Sequence, residues 1–146
     1  MIDIPEGFER MPGPGFEAHV GPFYQCKRDG HVIVGIRLGE HHCNRMRVAH
    51  GGFLAMFCDI MMGASVLANA DRKRVASMLT VSMHIDYIGN ACINEWLEGW
   101  AEVPKKGGRL AFANGNIVAD GRTVLHASAV FKLIPPQTGV EALPSA

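Results

Sequence analysis

The sequence predicts an α+β fold in which an antiparallel sheet wraps around one long helix. Three observations carry this reading: one helix-forming run, apolar on nearly all sides, at residues 53–70; a strand-like run before it; and four strand-like runs after it without a further clear helix. A helix apolar all round is buried, and a sheet of alternating faces is the economical way to bury it. Five to six strands are expected.

Each element has its own signal. Residues 1–18 are rich in Pro and Gly and read as an irregular or briefly helical arm, and residues 19–134 as the folded domain. The run HVIVGIRLG (31–39) puts Val32, Val34, Ile36 and Leu38 on one face, as a strand does. HHCNRMRVAHGG (41–52) is polar, basic and glycine-terminated, a loop. The Met, Leu and Ala content of 53–70 favours helix, and Arg72, Lys73 and Arg74 place cations near its C-terminal pole. Its length would suit a membrane span, but Asp59 near its middle and its isolation as the one such run favour a buried core helix. Runs 76–88, 92–103, 109–119 and 123–134 are then joined by GNA, PKKGG and DGR, all good turn chemistry. Residues 135–146 make neither a good strand nor a good helix and read as a flexible C-terminal tail.

Composition narrows the function. Fourteen Lys and Arg balance fourteen Asp and Glu, so the net charge is zero, and a phosphate-backbone binder would carry a basic excess. With glycine counted and tyrosine left out, apolar residues reach about 58%, against roughly 45–50% in soluble domains. Charged residues are 19%, against roughly 25%. Such a chain is expected to cover part of its surface with a partner. Cys26, Cys43, Cys58 and Cys92 form no CxxC pair or ligand cluster, so free thiols and no metal are expected. The N-terminus has acids and prolines where a signal peptide has a basic start and an apolar run, which predicts a cytoplasmic protein.

Two features could carry chemistry. A carboxylate inside an apolar helix is costly unless paired or hydrogen-bonded, so Asp59 is either functional, paired with Arg45 or Arg47, or turned to solvent. Immediately before the helix stands His50-Gly51-Gly52. Two glycines let a ligand approach the backbone, and the first helical N–H groups, lacking internal partners, can stabilise an oxyanion. The same residues would serve an ordinary helix entry, with His50 as a hydrogen-bonded structural residue.

Asn44, His50-Gly51-Gly52 and Asp59, in the run N-R-M-R-V-A-H-G-G-F-L-A-M-F-C-D, resemble the motif of the hot-dog fold acyl-CoA thioesterases of the phenylacetic-acid-pathway (PaaI-like) type, within the 4-hydroxybenzoyl-CoA thioesterase superfamily. The order of strand region, helix and four-strand meander over residues 19–134 is similar as well. The resemblance implies a cytoplasmic hydrolase converting a CoA thioester and water to an acid and a free thiol. Asp59 would be nucleophile or general base, the Gly51 N–H would polarise the carbonyl, and His50 and Asn44 would position thioester and water. Thr80 matches a Ser/Thr that helps hold the water, although a plain strand threonine would look the same. The resemblance further implies a homodimer or dimer of dimers in which His50 and Gly51 of one chain face Asp59 and Thr80 of the other. Neither metal nor bound cofactor is implied, the CoA thioester being the substrate, and no nucleic acid or membrane partner.

Gly52 is expected beside the substrate, and Lys105, Lys106 and Arg109 either steer the CoA phosphates or form a solvated hairpin. Met56, Met61, Met62, Met78 and Met83 offer flexible apolar surface to an acyl group or simply fill the core. Relatives often carry a glycine within the Asn-to-His loop, where this chain has Met46-Arg47-Val48. Two rival readings remain. A hot-dog dehydratase or hydratase would place its acid near position 64, here Ala64, or a histidine among residues 60–65, which hold none. A non-catalytic acyl-CoA-binding module would bind a thioester without releasing thiol.

Overall fold

Among the described residues, seven antiparallel strands curve around one 19-residue helix. The computed structural model describes residues 3–13, 15–105 and 108–136. In chain order the elements are β1 (Glu9–Arg10), α1 (Phe16–Val20), β2 (Tyr24–Arg28), β3 (His31–Arg37), a 3-10 turn (Glu40–His42), α2 (Gly51–Asn69), β4 (Ser77–Tyr87), β5 (Trp96–Lys105), β6 (Leu110–Ala119) and β7 (Arg122–Ile134). The sheet order is β1-β2-β3-β5-β6-β7-β4. The expected α+β, hot-dog arrangement is therefore present, with more strands than the five to six expected.

The additional strands are β1 and β2. In β2 Tyr24 and Cys26 alternate with Gln25 and Lys27, but the strand is only five residues long, too short for its periodicity to stand out. Its signal is the following Asp29-Gly30, whose φ angles of +52° and +80° form the tight turn that joins it to β3. β1 is only two residues of the arm, paired with β2. Nearby, Phe8 meets Trp96 edge-on at 5.1 Å, and Arg37 Nη2 donates to the Asp3 carbonyl at 2.6 Å. Two element starts move by two residues or more. Helix α2 starts at Gly51 rather than 53, because His50 caps it. β5 starts at Trp96 rather than 92, because residues 92–95 close a turn in which Asn94 has φ +70°. Of the expected tail, residues 137–146 lie outside the described residues.

The core forms where α2 meets the sheet. Phe57, Met61, Met62 and Val66 of the helix are fully buried with Val34, Ile36, Leu97, Ile117, Leu125 and Phe131 of the strands. Small sheet residues let the helix sit close: a Cβ on Gly115 would lie 2.6 Å from Met61 Cε. Buried Ser65 stitches the layers, donating to the Met61 carbonyl and accepting from the Ala101 N–H at 3.2 Å. By length and apolarity α2 could cross a membrane, but here nine of its residues are buried within the fold.

β4 is the exception to this closure. Among the described residues it pairs only with β7, leaving an eleven-residue edge open. Leu79 and Val81 are each 60% exposed there, as is Ile88 just after the strand. A long apolar edge is a template for another strand.

Candidate active site

The loop before α2 is built to deliver His50 to the helix start. Cys43 bridges Ala49, Val48 bridges Cys92, the Ala49 N–H donates to the Ala91 carbonyl at 2.7 Å, and the His50 N–H to the His42 carbonyl at 2.9 Å. Asn44 holds the turn itself, its Oδ1 accepting from the Met46 N–H at 2.9 Å while its carbonyl accepts from the Arg47 N–H. Arg47 has φ +61°, the left-handed conformation that glycine adopts more easily. The loop without glycine thus still makes a glycine-like turn.

His42 underpins this loop from inside. Its ring is buried, stacked on Phe53 at 4.3 Å. Nδ1 accepts from the Gly39 N–H and Nε2 lies 2.8 Å from the Val20 carbonyl, so Nε2 carries the proton. Burial pushes its pKa below the ordinary histidine value. His42 carries no signal in the sequence beyond the His41-His42 pair.

At the helix start, His50 Nδ1 accepts from the Gly52 N–H at 2.9 Å and caps α2. A Cβ on Gly52 would lie 3.1 Å from Nδ1, so glycine there makes room for the ring. The Gly51 N–H, in the first turn, lies at the positive end of the helix and has no intrahelical acceptor. Tyr87, at the end of β4, donates its hydroxyl to the Gly51 carbonyl at 3.0 Å. It was not singled out from sequence, because this contact spans 36 residues.

Two turns further along α2, Asp59 is half-buried and its Oδ1 accepts from the Thr80 hydroxyl at 2.6 Å. The structure thus brings Asp59 and Thr80 together in one chain. Neither Arg45 nor Arg47 pairs with Asp59 among the described residues; both are exposed. The neighbouring Cys58 is fully buried, and burial pushes its thiol up to about 12, with Asp59 adding to the shift. It is a core residue held as the neutral thiol.

Eight residues separate Gly51 from Asp59, about 12 Å along the helix axis. Within one chain the N–H and the carboxylate therefore stand too far apart to act on one carbonyl. The basic turn lies elsewhere again. Arg109 is exposed beside Gly108, and Gly108 lines a cavity of about 470 Å³ with Val66, Asn69 and Arg74 at the C-terminal end of α2. Neither His50, Gly51 nor Asp59 lines that cavity. Lys105 closes β5, and Lys106 lies outside the described residues. Of the methionines, Met61 and Met62 are core, while Met56, Met78 and Met83 are half-buried against it.

The family model of the thioesterase superfamily matches residues 46–126, which span the cap, Asp59 and Thr80. A Pseudomonas aeruginosa protein named as an esterase is 35% identical over 137 residues, 91% of this chain and 99% of its own length. Human acyl-coenzyme A thioesterase 13 is 32% identical over 105 residues, 66% of this chain and 73% of its own. Among solved structures, a thioesterase from Streptococcus pneumoniae TIGR4 with coenzyme A superposes with a TM-score of 0.69 at 24% identity, covering 80% of this chain and 88% of that one.

Proposed function

This chain belongs to the thioesterase superfamily and is a thioester hydrolase, and we propose that it cleaves acyl-coenzyme A thioesters to an acid and coenzyme A at sites shared by two copies of the chain. The carrying observation is the separation of about 12 Å between Gly51 and Asp59. A second copy removes the separation. A two-fold axis that sets Gly51 against the partner's Asp59 sets Asp59 against the partner's Gly51, so both sites form together. It also requires the two α2 helices to run antiparallel and to cross at Ala55, midway between the two residues and small enough for close approach. The open β4 edge supports the same pairing, because joining two such edges satisfies both rows of backbone groups.

In this reading the thioester carbonyl oxygen sits on the Gly51 N–H at the positive pole of α2, which stabilises the charge that develops there. The partner's Asp59 supplies the attack. As general base it takes a proton from water while the water oxygen bonds to the carbonyl carbon; as nucleophile its own oxygen bonds there, giving an anhydride that water then opens. Either way the carbon–sulfur bond breaks and the thiolate leaves and takes up a proton. The hydroxyl of Thr80 holds Oδ1 of Asp59 within its own chain, leaving Oδ2 for the reaction. His50 Nε2 is left to contact the substrate, since Nδ1 is committed to the cap. Asn44 acts by shaping the loop that carries His50.

From Asp59 to the end of α2 at Asn69 is about 15 Å, and Gly108, between β5 and β6, lines a cavity with Asn69 at that end. That reach suits Arg109, next to Gly108, for the CoA phosphates, at the far end of the pantetheine arm. The acyl-CoA name of the human relative and the coenzyme A in the streptococcal structure support the substrate class.

Mixing two inactive variants tests the shared site. Asp59→Asn and His50→Ala are each expected to lose most thiol release from a panel of acyl- and aryl-CoA thioesters. Coexpressed, half of the dimers are mixed and each holds one intact site, so about a quarter of the wild-type activity returns. No recovery would place each site within one chain. Binding without thiol release in the wild type would favour a non-catalytic module, and water addition to an enoyl-CoA without thiol release would favour a hydratase.

A further inference from the structure

Tyr87 and His50 engage opposite ends of a single peptide group. The Tyr87 hydroxyl donates to the Gly51 carbonyl at 3.0 Å, and the N–H of that same peptide, carried by Gly52, donates to His50 Nδ1 at 2.9 Å. A trans peptide points its C=O and N–H in opposite directions, so the group spans the space between phenol and imidazole. A donor on the oxygen polarises the peptide and makes its N–H a stronger donor. With Nδ1 accepting, the neutral imidazole carries its proton on Nε2. The ring of Tyr87 also covers Gly51: a Cβ there would lie 3.6–3.8 Å from the ring and hydroxyl atoms.

We infer that Tyr87 is a positioning residue of the hydrolysis, acting through the Gly51–Gly52 peptide to fix the orientation and tautomer of His50, so that Nε2–H faces the bound thioester as a donor. The inference rests on the placing of the thioester at His50 and Gly51 proposed above. It gives β4 two tasks on its two arms. Thr80 aligns Asp59, and Tyr87, seven residues on, aligns the helix start that belongs to the other site of the pair. A strand that forms the open edge of the chain would thereby set both site halves as it pairs.

The test compares Tyr87→Phe, which keeps the ring and removes the hydroxyl, with Asp59→Asn. Thiol release from a CoA thioester gives kcat and KM, and nitrogen-15 spectra report the His50 ring nitrogens and the Gly52 amide. Expected for Tyr87→Phe is a three- to tenfold fall in kcat with KM within twofold. Its Gly52 amide resonance moves upfield, and the two ring nitrogens of His50 move towards each other as the tautomers mix. Wild-type kcat overturns the inference, and so does a lowered kcat with unmoved His50 and Gly52 signals. Asp59→Asn separates the two levels. If it is inactive while Tyr87→Phe is normal, the relay fails and the site stands; if it is fully active, the site itself is wrong.

Discussion

The first and third turns of α2 both carry residues of the proposed site, yet they are held differently. At the first turn His50 and Gly51 are fixed by the chain's own loop bridges, by the Gly52 cap and by Tyr87. At the third turn Asp59 has one hydroxyl partner and is half-exposed beside Ala55, Met56 and Ile60, which are also only half-buried. The half proposed to hold the oxyanion is thus finished within one chain, whereas the half that carries the proposed acid is left open on one side. Dipoles that stabilise charge must be rigid before the reaction. A carboxylate that must meet water and substrate needs a free side.

Substitutions can break each half separately. Asp59→Asn keeps the contact with Thr80, so kcat for thioester hydrolysis is expected to fall by about 10²–10⁴. The melting temperature should move by less than about 3 °C, since at most one exposed hydrogen bond changes. A drop of 10 °C would mean that the acid is structural. Gly52→Ala strikes the other half, because its Cβ would crowd His50 Nδ1 at 3.1 Å. Losing the cap costs about 1 kcal/mol, seen as a fall of a few degrees in Tm, and kcat should drop three- to tenfold as His50 is displaced. Unchanged activity would show that the cap does not orient His50 for the reaction.

The smallest effect concerns the loop beneath the first turn. Burial lowers the pKa of His42 in the fold below its unfolded value near 6.5. On acidification the unfolded chain therefore takes up the proton first. The stability that neutral His42 contributes is complete above about pH 6.5 and is lost as pH falls from there towards the folded value, at no more than about 1.4 kcal/mol per unit. Calorimetry between pH 7.5 and 5.5 should show this slope in the wild type and a shallower one in His42→Gln. Equal slopes would assign the acid sensitivity to other groups.

These contrasts also mark what a sequence can disclose. The helix, the four later strands and the placing of His50, Gly51 and Asp59 were legible because periodicity and a short motif are local. β2 was not, since its alternation of Tyr24 and Cys26 with Gln25 and Lys27 covers only one short run, and Asp29-Gly30 was the clearer mark of the hairpin. Arg47 conceals a left-handed turn that a glycine would have announced. Thr80 could be suspected from its strand position, but its contact with Asp59 crosses 21 residues. Tyr87 and His42 owe their roles to groups 36 and 22 residues away, and no spacing rule reaches that far.

The orientation of Cys58 has a chemical consequence for an enzyme of thioesters. A thiolate beside the carboxylate proposed to attack would compete for the acyl group, since sulfur-to-sulfur acyl exchange is near thermoneutral and thiolates are strong nucleophiles. The acyl-protein so formed would be a trap, releasing coenzyme A once and then stalling. In this fold the residue next to Asp59 points its sulfur into the core and stays a neutral thiol, with its pKa raised to about 12. If Asp59 is the attacking group, as proposed, the helix that presents it on one face keeps a rival acceptor buried on the other, and self-acylation at Cys58 is disfavoured against transfer to water.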